Sequence, residues 1–132
     1  VLTGKSLTCR AQNIQLTVVA DGAALDFMDV MDISNLFGNA LDNAIEACAR
    51  LPEHANKRID LLLMQDDHSF FCRLSNTAPP RSDNTFTTSK ADKINHGFGL
   101  QNIRDALANY GAEPLIEQEG ETFSLSFNIV LQ

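Results

Sequence analysis

Two asparagines and a glutamate, Asn39, Asn43 and Glu46, recur at i, i+4 and i+7 in the stretch GNALDNAIEA, residues 38–47. On a helix that spacing puts all three on one face. Asparagine is a poor helix former, so two of them in mid-helix are easier to explain if the amides have work to do. An asparagine carbonyl is a neutral, hard oxygen ligand suited to Mg²⁺. That ion takes few protein ligands and keeps waters and phosphate oxygens. The same pattern also fits a solvated helix face with no partner.

A second constellation is HGFGLQNI, residues 96–103. It lacks the trailing glycine of a dinucleotide fingerprint. No GK[ST] closes it as a phosphate loop, and the early GKS at 4–6 has no strand or glycine before it. Gly97 and Gly99 are expected at a loop-to-helix junction, where bare backbone N–H groups attract phosphate. A flexible hinge with a helix cap fits the same residues.

The elements that must position these groups follow from periodicity. Residues 1–12 read as a linker or the end of a preceding helix. Residues 13–20, NIQLTVVA, alternate and are rich in β-branched residues, as a strand would be. Residues 32–51 form the strongest helix, with Ile33, Leu36, Phe37, Ala40, Leu41, Ala44, Ile45 and Cys48 at helical spacing. Asp32 is the expected cap and Pro52 marks the end. Residues 59–64 and 69–75 read as two strands.

Residues 76–97 change character, with two prolines, many Ser and Thr, and little periodicity. A loop of this kind in a compact domain is usually a binding loop, and a lid is expected over residues 77–96. An amphipathic helix is predicted over 99–110, with Gly111 as its C-cap. Residues 113–118 and 122–131 make a closing hairpin. This order predicts a two-layer α/β sandwich, a mixed sheet with helices on one face, over residues 13–132.

Composition narrows the function classes. The 132 residues are 44% apolar and 20% charged, an ordinary globular mixture and enough for one core. With 17 acidic and 10 basic residues the net charge is −7, which disfavours nucleic acid and anionic membrane surfaces. An anionic ligand would need local donors and a metal. Cys9, Cys48 and Cys72 have no zinc-like spacing and point to a reducing, cytoplasmic setting. Cys48 and Cys72 lie in apolar patterns and read as small core residues.

The two motifs, in this order and with a lid between them, resemble the GHKL superfamily of histidine kinases, gyrase-type ATPases and related chaperones. NALDNAIEAC is similar to the N box, and NHGFGLQNI to the second glycine box, of histidine kinases that answer peptide pheromones in quorum sensing. The resemblance implies a Bergerat-like ATP-binding fold with a mostly antiparallel sheet. It implies ATP and Mg²⁺ as cofactors and transfer of the γ-phosphate to a histidine on a separate dimerisation domain. A response regulator would act downstream, and the parent would be a membrane-bound bacterial sensor with this domain in the cytoplasm.

Carried over by position, Asn43 corresponds to the metal-binding asparagine. Asn39, one turn earlier, corresponds to a residue that faces the phosphates. Gly97, Gly99 and Leu100 correspond to the glycine box. Lys90 lies in the lid within reach of phosphate or on the surface. His96 precedes the glycine box, where a purely structural hydrogen bond also fits. Two other readings stay open: a GHKL-type serine kinase acting on an anti-sigma target, and a degenerate docking module.

The chain departs from the superfamily pattern at LSNTAPP, residues 74–80. Asn76 stands where most relatives have an Asp, followed by glycines, that receives the adenine amino group. Its carbonyl can still accept a hydrogen bond but carries no charge, so weaker nucleotide affinity is expected. Ala78 and Pro79 stiffen the first hinge of the lid. Asn39 replaces the glutamate that activates water in gyrase-type ATPases, and an amide is no general base. Phosphoryl transfer to a histidine needs positioning and charge stabilisation instead. A phosphate-release assay on the isolated chain should therefore show turnover far below about 1 per second.

Overall fold

The computed structural model describes residues 2–22, 25–80 and 90–131, with the backbone alone for residues 90–98. Among these residues three helices and five strands follow in the order α1 (Leu2–Ala11), β1 (Gln15–Asp21), α2 (Val30–Ala49), β2 (Arg58–Gln65), β3 (Ser69–Thr77), α3 (Lys90–Ala108), β4 (Leu115–Glu119) and β5 (Thr122–Val130). One sheet holds all five strands in the order β1-β2-β3-β5-β4. Only β1 and β2 run parallel; every other pair is antiparallel. The expected mixed, mostly antiparallel sandwich is observed.

Period-two alternation decides which face the helices cover. Ile59, Leu61 and Leu63 of β2, Phe70, Cys72 and Leu74 of β3, and Leu125, Phe127 and Ile129 of β5 are buried. The register aligns them in rows across the sheet, for example Leu61, Leu74 and Leu125. Residues between them, such as Asp60, Arg73 and Asn128, face away from this core and are half-buried or exposed. α2 supplies Leu36, Phe37, Ala40, Leu41, Ala44, Ile45, Ala47 and Cys48 to the same core, and α3 supplies Ile103, Ala106 and Leu107. Each Leu, Ile or Phe fully covered in this way contributes about 1.5–3 kcal/mol.

Local chemistry sets the element ends. α1 closes with Asn13 at φ 58°. The Ile14 N–H reaches the Cys9 carbonyl at 2.8 Å and the Asn13 N–H the Arg10 carbonyl at 3.2 Å, a left-handed cap with buried Ile14 against buried Cys9. Residue 13 thus ends a helix, and the strand expected from that point starts at Gln15. Residues 2–11, read from sequence as linker or helix end, are a ten-residue helix. Gly22, at φ 72°, follows β1 where an added Cβ would stand 2.6 Å from the Gln65 carbonyl oxygen.

α2 begins two residues before the periodicity predicts. Its cap is Asp29, whose Oδ1 accepts from the Met31 N–H at 2.8 Å, and not Asp32. Asp32 instead sits in the first turn and accepts the Tyr110 hydroxyl at 2.7 Å, with the Asn109 amide at 3.3 Å. The same hydroxyl accepts the Asp29 N–H at 2.9 Å. Tyr110 closes α3 against the start of α2, and its ring meets Phe27 edge-on at 6.1 Å.

α3 differs most from expectation. It begins at Lys90, so its backbone is helical through Lys90, His96 and Gly97. The predicted junction at 97–99 is absent because helical hydrogen bonding carries on across both glycines. Of the expected lid, Thr77 ends β3, residues 81–89 lie outside the described residues, and 90–96 are helical.

Replacing Tyr110 with Phe removes one donor and one acceptor at the α2–α3 junction. Chemical denaturation should show a loss of about 1 kcal/mol. Burial and the neighbouring aspartates hold the Tyr110 proton above its ordinary 10.0. The neutral hydroxyl's contribution is therefore intact below pH 10 and fades as pH rises through the folded value. The Phe variant should lack this alkaline component.

Candidate nucleotide site

The site is built on the polar stripe of α2, opposite the eight residues it buries. Asn39 and Asn43 are half-buried and Glu46 is exposed, on one side as the spacing predicts. The Asn39 amide nitrogen donates to the Asn35 carbonyl at 2.5 Å, one turn back. That bond spends a donor on the helix itself and turns the Asn39 carbonyl oxygen away from it. Lys5 of α1 pairs with Asp42, between the two asparagines in sequence and near the exposed side.

α2 and α3 pack along each other, and this brings the two motifs together. A Cβ added to Gly99 would lie 3.1 Å from Asn43 Oδ1 and 3.4 Å from its Nδ2. Gly99 therefore gives the Asn43 amide its room. Leu100, next in α3, is half-buried against the core. Gly97 lies on the same helix, as do Lys90 and His96.

Asn76 is at the other end of the site. It occupies the helix-facing side of β3, in a row with Ile59 of β2 and Phe123 of β5. At 4% exposure it is the only buried polar residue among those described. Its Nδ2 donates to the Thr77 carbonyl at 3.0 Å. Cys48 of α2 meets the same carbonyl at 3.6 Å. Cys48 is five residues beyond Asn43, about 7.5 Å along the helix axis. The amides of Asn43 and Asn76 thus bracket one stretch of α2.

Burial raises the pKa of the Cys9 and Cys48 thiols, and that of Cys72 to about 12. All three are free and buried. They are structural, as expected for Cys48 and Cys72. Cys48 has a further role that the sequence did not signal. Thr77 is likewise unsignalled by the sequence, and its hydroxyl accepts the Arg58 N–H at 3.0 Å.

The chain matches a family model described as the GHKL domain over residues 28–130. It belongs to the GHKL family of ATP-binding domains. No curated protein matches by sequence. Among solved structures, the catalytic domain of histidine kinase ThkA superposes with a TM-score of 0.69 at 22% identity, covering 95% of this chain and 84% of that one. The mycobacterial sensor histidine kinase MprB gives 0.67 at 14% identity, covering 95% and 89%. The histidine kinase domain of the blue-light activated kinase EL346 of Erythrobacter litoralis gives 0.69 at 14%, covering 95% and 56%. These likenesses establish the fold that this GHKL domain shares with histidine kinase catalytic domains.

The donor set suits magnesium. Amide oxygens such as those of Asn39 and Asn43 are hard, neutral ligands, and Mg²⁺ commonly takes one or two protein oxygens beside phosphate and water. Among the described residues no group of three or more His, Cys, Asp or Glu is placed to hold a metal, and a metal shared with a nucleotide needs none.

Gly99→Ala separates folding from this site. Alanine is favoured over glycine inside a helix by about 1 kcal/mol, but its methyl would press on the Asn43 amide. The melting temperature should hold or rise while magnesium-dependent nucleotide binding weakens, by thermal melting and calorimetry.

Proposed function

We propose that this chain is the Mg·ATP-binding catalytic domain of a sensor histidine kinase of the peptide-pheromone type. The observation that carries the reading is the approach of Gly99 to Asn43, which joins the N box on α2 to the glycine box on α3. In this reading Asn43 holds the metal through its Oδ1. Asn39 faces the phosphate side with its carbonyl oxygen. Asn76 receives the purine amino group. Gly97, Gly99 and Leu100 of α3 flank the phosphates, with Lys90 and His96 from the same helix. Magnesium, when bound, would neutralise charge on the phosphates.

Residues in this chain position the nucleotide and activate no water. Asn39 cannot remove a proton, so the γ-phosphate is kept for a better nucleophile than water. That nucleophile is a histidine on a separate dimerisation domain, and a response regulator receives the phosphoryl group afterwards. Kinase relatives by fold support the same assignment, as does the GHKL family match. Among the described residues no helix is long and apolar enough to cross a membrane. In our reading this domain sits in the cytoplasm below a membrane-bound sensor.

Two measurements test the assignment. Calorimetric titration of ATP with and without Mg²⁺ should give metal-dependent binding that Asn43→Ala abolishes, with the circular dichroism spectrum unchanged. Equal affinity in the variant would remove Asn43 from the metal. Labelled ATP should phosphorylate a histidine-bearing dimerisation domain supplied in trans, as an acid-labile, base-stable phosphoramidate. Label on serine would favour the anti-sigma type of kinase instead.

A further inference from the structure

Among the described residues Asn76 is the one buried polar side chain in an apolar face, and its orientation is determined by its neighbour. A carboxamide offers an NH₂ donor on one side and a carbonyl acceptor on the other. Here Nδ2 donates to the Thr77 carbonyl at 3.0 Å. Turning the amide over would set two carbonyl oxygens against each other. Among the described residues no donor reaches Asn76 Oδ1, so the side chain presents an acceptor to whatever binds.

The Thr77 carbonyl that imposes this is itself held from several directions. Thr77 pairs with Thr122 at the end of the β3–β5 ladder. The same peptide is tied by the Ala78 N–H to the Glu121 carbonyl at 2.8 Å. The Thr77 hydroxyl accepts the Arg58 N–H at 3.0 Å. Cys48 Sγ lies 3.6 Å from both the Thr77 carbonyl and hydroxyl oxygens, which joins the knot to α2. Thr77 touches none of the reacting groups in the reading above. It acts through Asn76.

We propose that Thr77 is a positioning residue that sets base specificity. By holding the Asn76 nitrogen inward it fixes an acceptor that takes a 6-aminopurine nucleotide and rejects a 6-oxopurine one. This rests on the reading of the site as nucleotide-binding. A 6-amino group donates to Oδ1. A 6-oxo group meets it acceptor to acceptor, and the fixed amide cannot flip to donate. Sites with rigid hydrogen-bonding groups discriminate more strongly than apolar pockets do for this reason.

The test compares Mg·ATP with Mg·ITP, which differ at the purine 6-position and its adjoining N1 proton, by calorimetry on three proteins. Wild type should prefer ATP by roughly 100-fold. Thr77→Val removes the hydroxyl and leaves the Arg58 N–H without its acceptor. The preference should fall to about 10-fold or less as the amide gains freedom to donate to the 6-oxo group. Thr77→Ser, which keeps the hydroxyl, should restore it. A purely structural role would weaken both nucleotides alike and leave the ratio unchanged, which would overturn the proposal. Equal binding of ATP and ITP by wild type would overturn it too, while leaving the nucleotide site intact. Binding of neither would remove both. A measurement on wild type alone covers the case in which the valine variant does not fold. In its NMR spectrum the Asn76 side-chain amide should exchange slowly with solvent, and fast exchange would refute the lock.

Discussion

Burial of one stripe of α2 against the sheet is the constraint on which the remaining structure depends. Eight residues of a twenty-residue helix are buried, and that apolar contact is non-directional along the axis but strict about rotation. Once Leu36, Leu41, Ala44 and Cys48 face the sheet, Asn39, Asn43 and Glu46 have only one direction left. Both ends of the helix are then pinned by polar contacts that apolar packing could not supply. Tyr110 joins Asp29 and Asp32 at the start, and Cys48 joins Thr77 and Arg58 near the finish. The helix thereby sets the spacing between the Asn43 amide on α2 and the Asn76 amide on β3.

The sheet has a complementary role. Its helix-facing side is apolar row after row, and Asn76 interrupts this near the open end of β3. A buried amide is tolerated there because its nitrogen is paired, at a cost of 1–3 kcal/mol were it not. A charged side chain at this depth would meet a heavier desolvation penalty. With a net charge of −7 the protein already repels anions at long range. Neutral amides, in place of further carboxylates, are compatible with a phosphate-bearing ligand.

The GHKL assignment and the low identity of the structural relatives fit together physically. A fold of this kind asks for alternation in the strands, one apolar stripe per helix and suitable caps, and many sequences satisfy that. Identity of 14–22% with the superposed kinases therefore leaves the architecture shared, and a shared fold does not by itself fix the chemistry. In this chain the buried Asn76 on β3 shares the Thr77 carbonyl with Cys48 of α2.

The sequence by itself determined the five strands, α2 and the latter half of α3, because period 2 and period 3.6 in apolar residues are local properties. It also placed Asn39, Asn43 and Glu46 on one helix face and identified Asn76, Gly97 and Gly99 as unusual. Boundaries were less legible where polar chemistry decides them: Asp29 caps α2 in place of Asp32, since Asp32 is drawn to Tyr110, 78 residues away. The early half of α3 reads as loop because residues 90–98 carry a glycine and little apolar periodicity, and α1 reads as linker or helix end because one buried residue, Cys9, leaves little pattern. Tertiary structure alone decided that Gly99 meets Asn43 and that Thr77 turns the Asn76 amide. Those contacts join residues 56 positions apart in one case and depend on a carbonyl direction in the other. Neither a distant approach nor a peptide orientation is encoded in any local run of residue types.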